Sequence, residues 1–96
     1  MGKHYYVYIL SNKKNGTLYI GMTNNLIRRI YEHKQGMISG FTRKHDLDKL
    51  VFYQKSGSVE SAINREKQMK KWKREWKIKL IERNNPEWED LYQKII

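Results

Sequence analysis

Two short apolar runs, Tyr5–Leu10 and Thr17–Met22, flank the polar segment Ser11–Gly16, and no other stretch limits the fold as much. Tyr5–Leu10 is a continuous aromatic and β-branched run, the pattern of a buried strand. In the second run Leu18, Ile20 and Met22 share one face, and Thr17, Tyr19 and Gly21 share the other. Asn15-Gly16 ends the intervening segment, so the pair predicts a β-hairpin. A four-residue loop, Lys13–Gly16, sets Asn12 opposite Thr17, Tyr8 opposite Gly21 and Leu10 opposite Tyr19. Tyr8 and Tyr19 then become diagonal neighbours roughly 7–8 Å apart, with open space at Gly21 beside Tyr8. A two-residue Asn15-Gly16 turn keeps both tyrosines on that face but farther apart. The four-residue loop is preferred because it makes a single site.

The next segment predicts a helix capped by Thr23 or Asn24, running to about Gln35 and stopped by Gly36. Leu26, Ile27, Ile30 and Tyr31 form its apolar stripe, with Arg29 and His33 together on one edge. Gly36–Asp48 reads as a polar, basic loop, and Leu50–Gln54 as a third strand. Ser58 caps a long helix with Glu60 in its first turn. Val59, Ala62, Ile63 and Met69 form its apolar face, and Glu66 interrupts that face between Ala62 and Met69. The pattern continues through Trp72, Trp76, Leu80 and Ile81 until Asn84-Asn85-Pro86 breaks it. Trp88–Tyr92 is a short amphipathic tail expected to dock on the body. There is no repeat or linker, so the reading is one domain over residues 1–96.

Charge narrows the partners. Twenty Lys and Arg oppose ten Asp and Glu, a net charge of +10 on 96 residues. Such an excess points to a polyanion, and nucleic acid fits best. The cations on offer are Arg28, Arg43, Lys44, Lys70, Lys73 and Arg74. No apolar run approaches the roughly 20 residues a membrane span needs, so no membrane association is expected. The opening Met1-Gly2-Lys3-His4 leads straight into a strand, with no signal peptide. The chain has no cysteine, which removes thiolate and zinc–sulfur chemistry and fits a reducing compartment, the cytoplasm.

Taken singly, each polar residue has an ordinary explanation. Glu66 could pair with Arg65, Lys70 or Lys73, or bind a divalent metal. Arg29 and His33 could be a surface pair, and Tyr8 and Tyr19 core tyrosines. Trp72 and Trp76 could stack on bases, but a small domain needs aromatic anchors, so packing onto the body is favoured. Together the residues have a chemical logic. Phosphodiester hydrolysis needs an activated water, a cation for the non-bridging oxygens and a proton carrier. Magnesium is often held by one or two carboxylates, its own waters and substrate phosphate, so one glutamate can suffice.

The whole pattern resembles the GIY-YIG endonuclease superfamily, and specifically its small stand-alone bacterial members. Tyr6-Val7-Tyr8 stands where the family has Gly-Ile-Tyr, and Tyr19-Ile20-Gly21 matches the second motif letter for letter. Arg29 and His33 fall at the family's arginine and at its histidine-or-tyrosine position. Asn64-Arg65-Glu66-Lys67 looks like the segment that carries the metal-binding glutamate, and the stretch from Asn85 to Leu91 looks like the tail of these proteins. Some relatives carry a lysine shortly after the second motif, where this chain has Met22.

The resemblance implies an α+β fold, a central three-stranded antiparallel sheet flanked by helices. It implies an endonuclease acting on DNA, with structured, damaged or single-stranded DNA as candidate substrates and RNA left open, and using one Mg2+ or Mn2+ ion. Glu66 would hold the metal, and either Tyr8 or Tyr19 would assist the water. Arg29 would stabilise the phosphate, and His33 would move a proton or bind phosphate. The family asparagine near the metal would be Asn85 or Asn84. Larger relatives add DNA-binding domains, so here a protein partner is expected to supply target choice. The alternative reading is a non-catalytic nucleic-acid-binding or adaptor module.

Overall fold

A computed structural model describes residues 4–38 and 40–96; residues 1–3, on which the reading of the N-terminus rests, lie outside that description. Three strands, β1 (Tyr5–Ser11), β2 (Leu18–Thr23) and β3 (Lys49–Ser56), form one antiparallel sheet in the order β2-β1-β3. The helices are α1 (Leu26–Lys34), α2 (Phe41–Lys44), α3 (Val59–Lys71), α4 (Arg74–Asn84) and α5 (Tyr92–Ile95).

β1 is the middle strand and is covered on both faces, which is why it reads as an unbroken apolar run. Val7 and Ile9 pack on one side with Ile20, Ala62, Met69 and Ile81, beneath α3 and α4. Tyr8 and Leu10 pack on the other with Leu26, Ile30, Leu47 and Leu50. The hairpin has the predicted register, Tyr8 opposite Gly21 and Leu10 opposite Tyr19. Its loop is the four-residue one: the Gly16 N–H donates to the Lys13 carbonyl at 2.9 Å, and the Thr17 N–H donates to Asn12 Oδ1 at 3.0 Å.

α1 starts later than the sequence suggested. Its cap is Asn25, not Thr23 or Asn24, with Oδ1 accepting the Arg28 N–H at 3.1 Å. Thr23 instead ends β2, and its hydroxyl oxygen accepts the Asn25 N–H. Gly36, at φ +67°, lies just past the helix end, as expected. The inward stripe also differs, because Leu26, Ile30 and His33 face the sheet while Ile27 and Tyr31 are exposed. The Gly36–Asp48 loop contains the single turn α2, which buries Thr42.

The largest departure is at Trp72-Lys73. Both residues are extended, with ψ near 150°, and split the predicted long helix into α3 and α4. No Gly or Pro marks the place; packing decides it. Met69 and Ile81 are both fully buried in one core cluster. On a straight helix they would stand about 18 Å apart along the axis and about 120° apart around it, so one face could not bury both. The break folds α4 back over the sheet. Ser58 caps α3 as predicted, but Val59 is exposed rather than part of the apolar face.

The tail docks on β3, an edge strand. The Leu91 N–H donates to the Leu50 carbonyl at 2.7 Å, and Asp90 Oδ1 accepts the Leu50 N–H at 3.1 Å. The same carboxylate pairs with Lys34 of α1. Trp88 is buried in the core, and its indole N–H donates to Glu82 at 2.7 Å. The tail thus covers strand groups that would otherwise be free to pair with another chain.

Candidate active site

The hairpin register brings the two tyrosines together, and α1 adds the histidine. The Tyr8 and Tyr19 rings lie 6.4 Å apart between centroids, and the His33 ring is 5.9 Å from each. The Tyr8 hydroxyl and His33 Nε2 are hydrogen-bonded at 3.1 Å. Gly21 makes room for this, since a β-carbon there would stand 2.5 Å from the Tyr8 hydroxyl. His33 is only 8% exposed, and its Nδ1 has no hydrogen-bond partner among the described residues.

The environment pushes the two groups in opposite directions. Burial raises the Tyr8 phenol above its ordinary value; Tyr19, Glu66 and Glu32 add to the rise, and Arg29 opposes it. Burial lowers the His33 imidazole to about 4, helped by the Arg29 charge and opposed by Glu32. At neutral pH the pair is therefore a protonated phenol beside an uncharged imidazole.

Arg29 sits one turn before His33 and is half-exposed, its Nε 3.8 Å from Glu32 Oε1. Glu66 is mostly buried, with a side-chain exposure of 22%, and lies 3.6 Å from Lys70. Its charge nonetheless acts on Tyr8. Tyr8, Tyr19, Arg29 and His33 share one locality, whereas the one ion pair of Glu66 on α3, among the described residues, is with Lys70. Among the described residues no three His, Cys, Asp or Glu side chains gather as a ready-made metal cage, so Glu66 is the one predicted ligand at hand. Glu32 was not singled out from the sequence. It pairs with Arg28 at 3.2 Å and with Arg29, and its i,i+4 and i,i+3 spacing to them was the available signal.

Asn85 lies elsewhere. Its amide donates to the carbonyls of Val51 and Glu89, and its oxygen accepts the Glu89 N–H, so the side chain is committed to holding the tail. Asn84 ends α4 and is exposed. Arg74 is also committed: its guanidinium donates to the carbonyls of Asn15 and Gly16, where the hairpin turn leaves acceptors unpaired. Arg28 and Lys70 are exposed but ion-paired, whereas Arg43, Lys44 and Lys73 are exposed. A cavity of about 600 Å³ between Tyr6, Tyr53, Ile27 and Lys94 includes none of the tyrosine–histidine cluster.

The family model for the GIY-YIG catalytic domain matches residues 4–79. The chain belongs to the GIY-YIG family. It is 38% identical to a UPF0213 protein of Clostridium perfringens, over 95% of this chain and 96% of that one. A UPF0213 protein of Staphylococcus haemolyticus is also 38% identical, over 85% of this chain and 98% of its own length. The fold matches the solution NMR structure of a UPF0213 protein from Bacillus halodurans with a TM-score of 0.56 and 32% identity, covering 91% of this chain and 92% of that one. The GIY-YIG domain is a nuclease domain. The three-stranded antiparallel sheet with flanking helices is the fold that the resemblance implied. No described helix is long and apolar enough to cross a membrane.

Proposed function

We propose that the protein is a metal-dependent endonuclease that hydrolyses DNA phosphodiester bonds in the cytoplasm. The observation that carries this reading is the Tyr8–His33 pair, a phenol and an uncharged imidazole in direct contact beside Tyr19 and one turn from Arg29. Arg29 is half-exposed and can reach a non-bridging phosphate oxygen. The Tyr8 hydroxyl can orient the attacking water, and the uncharged His33 Nε2 fixes the position of that hydroxyl. Tyr8 is the better candidate for this role, because its hydroxyl is the one bonded to His33.

One Mg2+ or Mn2+ ion on Glu66 fits the donor set: a single carboxylate suits a hard cation that keeps most of its waters and gains the rest of its shell from substrate phosphate. Such an ion would supply charge stabilisation at the phosphate. Lys70 would have to release Glu66 for this, and their contact at 3.6 Å, with Lys70 half-exposed, is weak enough to allow it. Target choice rests on a protein partner or on DNA structure.

Cleavage of plasmid and branched DNA, with and without Mg2+, tests the reading with wild type, Glu66→Ala and Tyr19→Phe. Metal-dependent nicking that both substitutions abolish is expected. Wild type that binds DNA but never nicks it would make the protein a binding or adaptor module instead.

A further inference from the structure

The break between α3 and α4 creates an aromatic notch that shares no residue with the tyrosine–histidine cluster. Arg65, Trp72, Trp76, Lys79, Leu80 and Arg83 line it, around about 320 Å³. Trp72 is half-buried against the core, as the packing expectation had it. Trp76 departs from that expectation: it meets Trp72 edge-on at 6.1 Å and is 51% exposed. Trp76, Lys79, Leu80 and Arg83 share one face of α4 by their i, i+3, i+4 and i+7 spacing.

One cation beside these indoles, Arg65, is held in place before any ligand arrives. The Arg65 guanidinium lies 4.9 Å over the Trp72 ring. Gln54 and Gln68 accept from two of its nitrogens at 3.2 Å each, leaving further N–H donors unused. Among the described residues Arg65, Lys79 and Arg83 form no ion pair, and no carboxylate lines the notch. Arg65 also lines an adjoining recess of about 430 Å³ whose other walls include Gln54, Ser61, Asn64 and Gln68. The notch and this recess, which share Arg65, offer an aromatic face, cations and neutral hydrogen-bonding groups.

Single-stranded nucleic acid uses all three: bare base faces, phosphates and base edges. A duplex hides its base faces in the stack, so Trp76 would have nothing to cover. We propose that the α3–α4 notch binds an unpaired nucleotide in a single-stranded segment of the substrate, its base on Trp76 and its phosphates on Arg65, Lys79 and Arg83. The inference rests on the nuclease reading for the identity of the polymer. It adds that the preferred substrate has a single-stranded portion. Arg65 and Glu66 are consecutive, so α3 carries both the notch and the predicted metal ligand.

The test is equilibrium binding, by fluorescence anisotropy, of a short oligothymidylate and of a blunt duplex of equal length. Trp76→Ala is expected to weaken single-strand binding about five- to a hundredfold and to leave duplex binding unchanged. The salt dependence should be unaltered, because no charge is lost. Lys79→Gln and Arg83→Gln should each lower the slope of log affinity against log salt by roughly 0.7. Should Trp76→Ala fail to fold by circular dichroism, Trp76→Leu carries the same expectation, since it keeps an apolar contact but has no π face. Unchanged single-strand binding, or equal losses on both DNA forms, overturns the proposal. So does polyglutamate competing as well as the oligonucleotide, which would assign the surface to an acidic protein. Cleavage is scored separately. Wild type that never nicks, yet binds single strands through Trp76, defeats the nuclease reading alone; nicking without any Trp76 effect on binding defeats the notch alone.

Discussion

Gly21 lies against the Tyr8 ring so closely that a β-carbon would stand 2.5 Å from both Cζ and the hydroxyl oxygen. The glycine of the second motif is therefore a space requirement set by the tyrosine of the first. Tyr8 is buried and tied to His33, so the ring cannot simply swing aside. Gly21→Ala is expected to cost about 1–3 kcal/mol through overpacking, a fall of at least about 4 °C in Tm for a domain of this size. Nicking should fall with it. Thermal unfolding and a plasmid assay check both, and a variant as stable as wild type would show that the ring relocates freely.

His33 predicts a pH dependence of stability. Its pKa is about 4 in the folded protein, against about 6.5 in the unfolded chain. Between those values the unfolded chain binds the extra proton. Stability is therefore full above about pH 6.5 and falls on acidification toward about pH 4, by roughly 1.4 kcal/mol per pH unit and of order 3 kcal/mol in all. Urea unfolding across that range should show the slope in wild type and a shallower one in His33→Gln. The acid limb of activity due to His33 should likewise lie near pH 4 rather than near 6.5.

Glu66 is expected to matter for activity and little for folding. Its ion pair with the half-exposed Lys70 contributes at most about 1 kcal/mol. Glu66→Gln should therefore melt within a few degrees of wild type while metal-dependent nicking is lost. Loss of the fold instead would mean that the carboxylate is structural.

Asp90 holds the tail to the edge of the sheet. Its Oδ1 accepts the N–H groups of Leu50 and Tyr92, each at 3.1 Å, and Oδ2 pairs with Lys34. Asp90→Ala leaves the N–H of the fully buried Leu50 without that partner and should cost about 2–3 kcal/mol. Faster hydrogen exchange at the Leu50 amide, measured by NMR, would locate the damage at the β3 edge.

The sequence by itself determined what short-range chemistry can determine. Asn15-Gly16 and the alternation of β2 put Tyr8 and Tyr19 on one face of a hairpin, and the structure selected the four-residue loop that makes them neighbours. Gly36 and Ser58 marked helix ends through their own backbone and side-chain preferences. Tertiary structure decided whatever depends on distant partners. His33 is a buried base rather than an edge residue because it packs on Tyr8, 25 residues earlier. Arg74 turned from a candidate phosphate ligand into a clamp on the hairpin carbonyls, 58 and 59 residues away. Asn85 went to the tail rather than to the cluster because Val51 and Glu89 together use its whole amide. The split at Trp72-Lys73, and the exposed Trp76 beyond it, have no local signal: a straight helix would set Met69 and Ile81 about 120° apart around its axis, so one face could not bury both. Local preference acts within a turn or two of the chain, whereas burial and unpaired polar groups are settled only when the whole core closes.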